Sequence, residues 1–390
     1  MRTVVTASRL WDGKRFISEP AIEIEDQLVT GVWSRAEQAI PPGVQVLDFP
    51  GAMLAPSYFD VHIHGAAGHD VMEATPESLN AVGRFLASRG TGSFLATTVT
   101  APLDATLRSL NGLAKRIGDA GDSAGATPLG IHLEGPFISH VKRGVHPPEY
   151  LLAPDIAIFD SMFDAAEGHI RLMTLAPELP GAAELAAHAT SRGVRISMGH
   201  SNATAAEAQL AIAAGAVSAT HTFNAMRALD HREPGILGVV LSTDSLYAEL
   251  ICDGIHVHPS LVKVWWRAKG GNRAILITDG MAATGMPEGE YMLGGFAVQV
   301  ANGKATANGV LAGSVLTLDL ALSNFVSFSG ASVEEALPLV SNNPSAMAGF
   351  SDRAGSVGVG LPANLVAVDS SGALLASMIR GRLQFNALKS

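Results

Sequence analysis

Six side chains in this 390-residue sequence are suited to holding a divalent cation, and each stands at or near the end of an apolar run. His62 and His64 lie two apart in FDVHIH, so on an extended strand both imidazoles face one side. Glu134 ends PLGIHLE, His200 ends VRISMGH, His221 lies within VSATHTF, and Asp279 is the penultimate residue of AILITDG. The histidine pair can hold one cation, and Glu134 has two oxygens with which to bridge it to a second cation held by His200 and His221. Asp279 would touch the first cation and a bound water. Nitrogen and oxygen donors without sulfur suit zinc, iron(II), manganese or cobalt. A single histidine at a strand end is more often a hydrogen-bonded structural residue than a ligand, so the signal is the whole set at five candidate strand ends. His132 shares a strand face with Glu134 and receives no role; His69, His140, His169, His188 and His231 read as surface or loop residues.

Positioning such a set requires strands that end together. Eight β-like runs, at 59–64, 92–99, 128–134, 170–177, 194–200, 217–223, 248–256 and 274–280, alternate with helix-like stretches such as PESLNAVGRFLASRG and GAAELAAHATSRG. Glycine closes most of these helices, as helix C-termini favour. The alternation predicts an α/β fold, a closed (β/α)8 TIM barrel whose chemistry sits at the C-terminal strand ends. VVTASRLW and AIEIEDQLVTGVW near one end, and ANLVAVDSSGALLASMIRG near the other, predict a small discontinuous β-sandwich domain formed by both termini. The expected boundaries are 1–55 and 356–390 for the sandwich and 56–355 for the barrel.

Composition narrows the partners. Lysine and arginine number 26 against 36 acids, a net charge of −10, and no basic run offers a footprint for nucleic acid. No stretch reaches the roughly 18 uninterrupted apolar residues of a membrane span. The first residues, MRTVVTASRLWDGKR, turn charged before a signal-peptide core could form, and the single cysteine, Cys252, excludes an internal disulfide and suits a reducing compartment. A cytoplasmic location is expected.

The motifs DVHIHG, HLEGPF, GHS, THTFNAM, REPG, DGIHVHP, TDGM and LAGS, in this order, resemble those of the N-acetylglucosamine-6-phosphate deacetylases of the amidohydrolase superfamily. HLEGPF followed by KRGVHPPEY, and HTFNAM followed by REPG, set this branch apart from dihydroorotases, hydantoinases and ureases. Those relatives bridge their metals with a carboxylated lysine on the fourth strand, and IRLMTLAP contains no lysine. The resemblance implies hydrolysis of the acetyl amide of a small amino-sugar phosphate to acetate and glucosamine 6-phosphate, by a homodimer with one or two divalent metals per subunit, zinc first. It makes Glu134, His200 and His221 the principal metal ligands, His62 and His64 the second-site pair, and Asp279 the acid/base residue. His256 would bind the substrate and polarise the acetamide carbonyl, and Asp253 beside it would also contact the substrate. Val145, His146, Asn224, Ala225 and Arg232 would contact the sugar phosphate, and Leu311, Ala312, Gly313 and Ser314 would flank the acetyl group. A guanidinium such as that of Arg232 can grip phosphate through two parallel hydrogen bonds, while its bland alternative is an ion pair with Glu233. His258 would be structural or a subunit contact, and the helix SLVKVWWRAKG would join an interface or pack on the barrel. The competing readings are the galactosamine epimer, a different amide and a catalytically silent barrel.

Overall fold

A computed structural model describes residues 2–118 and 125–387. Eight parallel strands follow one another around the sheet in chain order: β1 (Tyr58–Ile63), β2 (Thr91–Thr98), β3 (Thr127–Glu134), β4 (Ile170–Leu175), β5 (Arg195–Met198), β6 (Ala216–Ala219), β7 (Tyr247–Ile251) and β8 (Ala274–Ile277). Their residues are almost all buried, because the barrel interior covers one face and the helices cover the other. The helices carry the expected local signals. Thr75 caps Pro76–Ser88 in a reciprocal box with Ser78, and Leu79, Val82 and Leu86 turn its apolar stripe inward. Trp265 and Trp266 present ring edges to Phe325 of the helix Leu318–Ser329, so both pack within the barrel's outer layer.

The ring closes where β8 meets β1. Asp279 N–H donates to His62 O at 2.9 Å, and His64 N–H donates to Gly280 O at 2.8 Å. Beneath this seam Asp60 is fully buried, accepting the Thr278 hydroxyl at 2.6 Å and the His62 N–H at 3.2 Å. Burial pushes the Asp60 carboxyl up to about 7, partly offset by those donors. Closure is what brings His62, His64 and Asp279, more than two hundred residues apart, onto one rim.

Both termini contribute to one further sheet. Thr3–Trp11, Phe16–Ser18, Pro20–Glu25, Leu28–Ser34 and Gln45–Pro56 join Leu365–Val368, Leu374–Ile379 and Arg382–Asn386. Val5, Ile22, Val29 and Leu54 share a single core with Leu365, Ala367 and Met378, and Val29 N–H donates to Leu361 O at 2.9 Å. The expected sandwich is thus one sheet folded over its own core. An antiparallel insertion that the sequence reading did not mark, Gly289–Leu293, Phe296–Ala301, Lys304–Ala307 and Val310–Leu311, follows β8. It packs Leu293, Val298 and Val300 on Val99 and Met281 beside the barrel rim. Among the described residues no helix is long and apolar enough to cross a membrane.

Thr278→Val keeps the side-chain shape but removes the shortest donor to buried Asp60. Stability should fall by about 1–3 kcal/mol, read by chemical denaturation; no loss would show that the seam does not depend on this contact.

Candidate active site

All six expected ligands converge at the C-terminal ends of the strands and are buried. His62, His64 and Asp279 form one group, and Glu134, His200 and His221 another, each with ligand atoms within 4.8 Å of one another. Glu134 spans the two. Its Oε1 lies 3.1 Å from His221 Nε2 and 3.3 Å from both His200 Nε2 and His62 Nε2, while Oε2 lies 3.3 Å from His64 Nε2. Asp279 Oδ1 is 3.1 Å from His64 Nε2 and 3.5 Å from His62 Nε2. His200, His221 and Asp279 stand just past their strands at φ of 46°, 29° and 52°. Such left-handed backbone costs non-glycine residues about 1–3 kcal/mol and persists where surrounding contacts over-determine it.

The outer contacts fix which ring nitrogen is free. His62 Nδ1–H donates to Glu249 Oε2 at 3.3 Å, His64 Nδ1–H to Thr97 O at 3.1 Å, and His200 Nδ1–H to Lys142 O at 2.9 Å. Each ring thereby turns its Nε2 inward, as metal-bound histidines do. His62 Nε2 is buried without an aligned hydrogen-bond partner, and His200 Nε2 faces His221 Nε2 at 3.0 Å. Ring nitrogens and carboxylate oxygens aimed at shared points fit a cation, and the donor set matches the sulfur-free divalent metals expected. His146 is built differently. Its Nδ1 accepts from Thr100 N–H at 3.3 Å, leaving an Nε2 proton aimed toward Glu134 Oε2 at 3.6 Å. A Cβ on Gly135 would lie 2.1 Å from the Thr100 hydroxyl that also holds this ring, which explains the glycine of HLEGPF.

The field at the site attracts positive charge. Burial would lower the imidazole of His64, yet its contacts with Asp279 and Glu134 push it up to about 9. Burial would raise Glu134, but His62 and the contacts with His146, His200 and His221 hold it well below the usual carboxylate range. Asp279 is likewise depressed, against burial, by His62 and His64. His146 moves the other way, down to about 4, because burial outweighs its contact with Glu134. His132, its ring edge on His62, is pushed well below its ordinary value by burial and donates or accepts only between Thr97 and Thr174; it is a structural residue beneath the site.

A cavity of about 350 Å³ opens over these groups. It is lined by the expected Val145, His146, Asn224, Ala225, His256, Leu311 and Gly313, together with Lys142 and the insertion residues Leu293 and Val310. Four expected contacts do not line it. Asp253 stands behind His256, taking its Nδ1–H at 2.6 Å and its backbone N–H at 2.8 Å, and thereby raises the imidazole against burial. Ala312 is packed into the core of the insertion, and the Ser314 hydroxyl is spent on Thr278 O at 2.6 Å. Arg232 is exposed on the loop beyond Ala225; it forms no ion pair with Glu233, whose carboxylate takes the Ala205 and Gly235 N–H groups instead. His258 is exposed and caps Pro259–Arg273. His140 and His231 are exposed as expected, and His69 and His188 pair with Glu73 and Asp160.

The model of the Amidohydrolase family matches residues 53–386, which contain every one of these ligands. The chain belongs to the amidohydrolase family. It is 37% identical over 384 residues to an N-acetylgalactosamine-6-phosphate deacetylase of Escherichia coli O157:H7, covering 98% of this chain and 99% of that protein. It is 38% identical over 336 residues to the N-acetylglucosamine-6-phosphate deacetylase of Bacillus subtilis, covering 86% of this chain and 85% of that one. Among solved structures, a mutant N-acetyl-D-glucosamine-6-phosphate deacetylase from Mycobacterium smegmatis, in complex with N-acetyl-D-glucosamine-6-phosphate, superposes with a TM-score of 0.91. Its sequence identity is 32%, and the match covers 99% of this chain and 100% of that one.

Among the site residues that sequence reasoning missed, Glu249 stands out. It is fully buried in β7, and its Oε2 takes both the His62 ring proton and, at 3.4 Å, the backbone N–H of His221. One oxygen thereby ties a ligand of each half-site. The available signal was a lone acid in the apolar run AELIC, which cannot be buried without a donor. Glu249→Gln should keep the fold but weaken the His62 site, lowering metal content per chain toward one after dialysis against limiting metal. Affinity losses of about 10–100-fold are usual for such partners. Metal content unchanged at both sites would contradict this role.

Proposed function

We propose that this amidohydrolase removes the acetyl group of N-acetyl-D-glucosamine 6-phosphate, giving acetate and D-glucosamine 6-phosphate. The carrying observation is a carboxylate-linked pair of ligand groups beneath a pocket, in a chain 38% identical to a deacetylase relative over 336 residues. A bound divalent cation, zinc first and iron, manganese or cobalt next, would be held by His62, His64 and Asp279 or by Glu134, His200 and His221. It would supply Lewis acidity that lowers the pKa of a water and polarises the acyl oxygen.

The chain's own groups complete the reaction. Asp279, kept ionised by its histidine neighbours, takes the proton of the attacking water and returns it to the leaving nitrogen. His256, oriented through Asp253 and carrying an elevated pKa, donates to the carbonyl oxygen as negative charge develops there. Leu311 and Leu293 bound a small apolar space that suits a methyl group. Gly313 is needed beside them: at φ 62° a Cβ would press to 2.9 Å from Asp279 O. The phosphate is met by Lys142, which lines the cavity, and by Arg232, exposed on the loop continuing from Asn224 and Ala225. A homodimer in the cytoplasm belongs to the same reading. It is supported by the motif resemblance and by the single buried Cys252.

The second reading, deacetylation of N-acetylgalactosamine 6-phosphate, is favoured by the 37% identical relative that carries that activity in its name. Acetate release from the two epimers side by side decides between them: faster turnover of the glucosamine epimer is expected, and a preference for the other would transfer the mechanism to the second substrate. Asp279→Asn should cut kcat by about 10²–10⁴-fold and retain Glu134-site metal, since an amide cannot shuttle the proton; near-normal turnover would remove its role. Lys142→Ala and Arg232→Ala should each raise KM by about tenfold or more for the phosphorylated sugar while sparing N-acetylglucosamine. Equal effects on both sugars would show that neither cation reads phosphate.

A further inference from the structure

At the opposite, N-terminal end of the barrel strands, a cleft of about 470 Å³ is lined by Arg171, Arg195 and Arg353, with Asp352 as its one carboxylate. Arg171 and Arg195 stand at the starts of β4 and β5, and Arg353 follows the helix Asn342–Ala348. Some other arginines of this acidic chain find carboxylates: Arg2 with Glu23, Arg9 with Glu334, Arg89 with Asp319, Arg108 with Asp104 and Arg192 with Asp160. These three form no ion pair among the described residues, even though Asp352 shares their cleft. Arg171 Nε is buried without a hydrogen-bond partner. The Arg353 guanidinium lies over the face of Phe350, 5.8 Å from the ring centroid. His169, close by, is depressed by burial and by the charges of Arg171 and Arg353, against that of Glu167.

We propose that this cleft is a second anion site, distinct from the catalytic cavity, that takes a phosphate group, either free or on a small organic molecule. Each guanidinium offers a planar fork of donors, and three forks with one opposing carboxylate suit a dianion with several free oxygens. The volume falls within the roughly 300–1,000 Å³ typical of small-molecule sites, and Val194, Ala348 and Phe350 provide apolar wall for an organic moiety.

The test is equilibrium dialysis of the metal-loaded full chain against millimolar inorganic phosphate at constant ionic strength. Wild type is compared with Arg195→Gln/Arg353→Gln, in which both changed residues are exposed and remote from the catalytic cavity. The double variant should bind one phosphate fewer per chain while its kcat/KM for the sugar phosphate stays within about twofold of wild type. In parallel dialysis with glucosamine 6-phosphate, a larger deficit would name a sugar phosphate as the occupant, and an equal deficit would name the phosphate group alone; either supports the site. Equal phosphate binding by wild type and variant, or a deficit equally produced with acetate in place of phosphate, overturns it.

Discussion

Glu134 stands 3.1–3.3 Å from the inward nitrogens of four histidines, in a place where burial alone would discharge it. The group that it shares with His62 and His64 is completed only because the barrel closes. With β8 displaced from β1, His62 and His64 would keep their strand beside Glu134 but lose Asp279. The backbone bonds between Asp279 and His62, and between His64 and Gly280, are therefore part of the site as much as of the fold. Asp60 and Thr278 hold the same seam from beneath.

Order at the centre comes from protons placed at a distance from it. Acceptors on three different elements, Glu249 on β7, Thr97 O on β2 and Lys142 O on the loop after β3, each take an Nδ1–H and turn an Nε2 inward. His146, with the opposite tautomer, borders the same carboxylate without joining the ligands. The Lys142 contact has a further consequence, because the residue whose carbonyl orients His200 also lines the cavity. One loop thus serves both the cavity wall and the orientation of a ring in the ligand group.

The barrel was legible because its strands are buried on both faces and read as apolar runs broken by helical periodicity. The ligand set was legible because strand ends share one rim, so six residues scattered from 62 to 279 could be assigned to a single place. Adjacency along the chain was a poorer guide. Asp253 sits beside His256 in sequence but supports it from behind, and Arg232 follows Ala225 closely yet leaves the cavity. Ser314 ends the LAGS motif but spends its hydroxyl on the β8 end. Glu249 went unnoticed because an acid inside a strand carries no mark of its partner, which comes from another strand. The insertion at 289–311 did carry a signal, short alternating runs between GG and NG turns, that a search for βα units passes over.

On the proposed function, a cation gathered by Glu134 and its neighbours makes Asp279 and His256 competent to cleave an acetyl amide. The deciding experiment is acetate release from N-acetylglucosamine 6-phosphate by enzyme stripped with a chelator and then restored with single divalent metals, metal content being followed alongside. Turnover should disappear with the metal and return in proportion to the metal rebound. Full turnover by protein shown to be metal-free would contradict this reading.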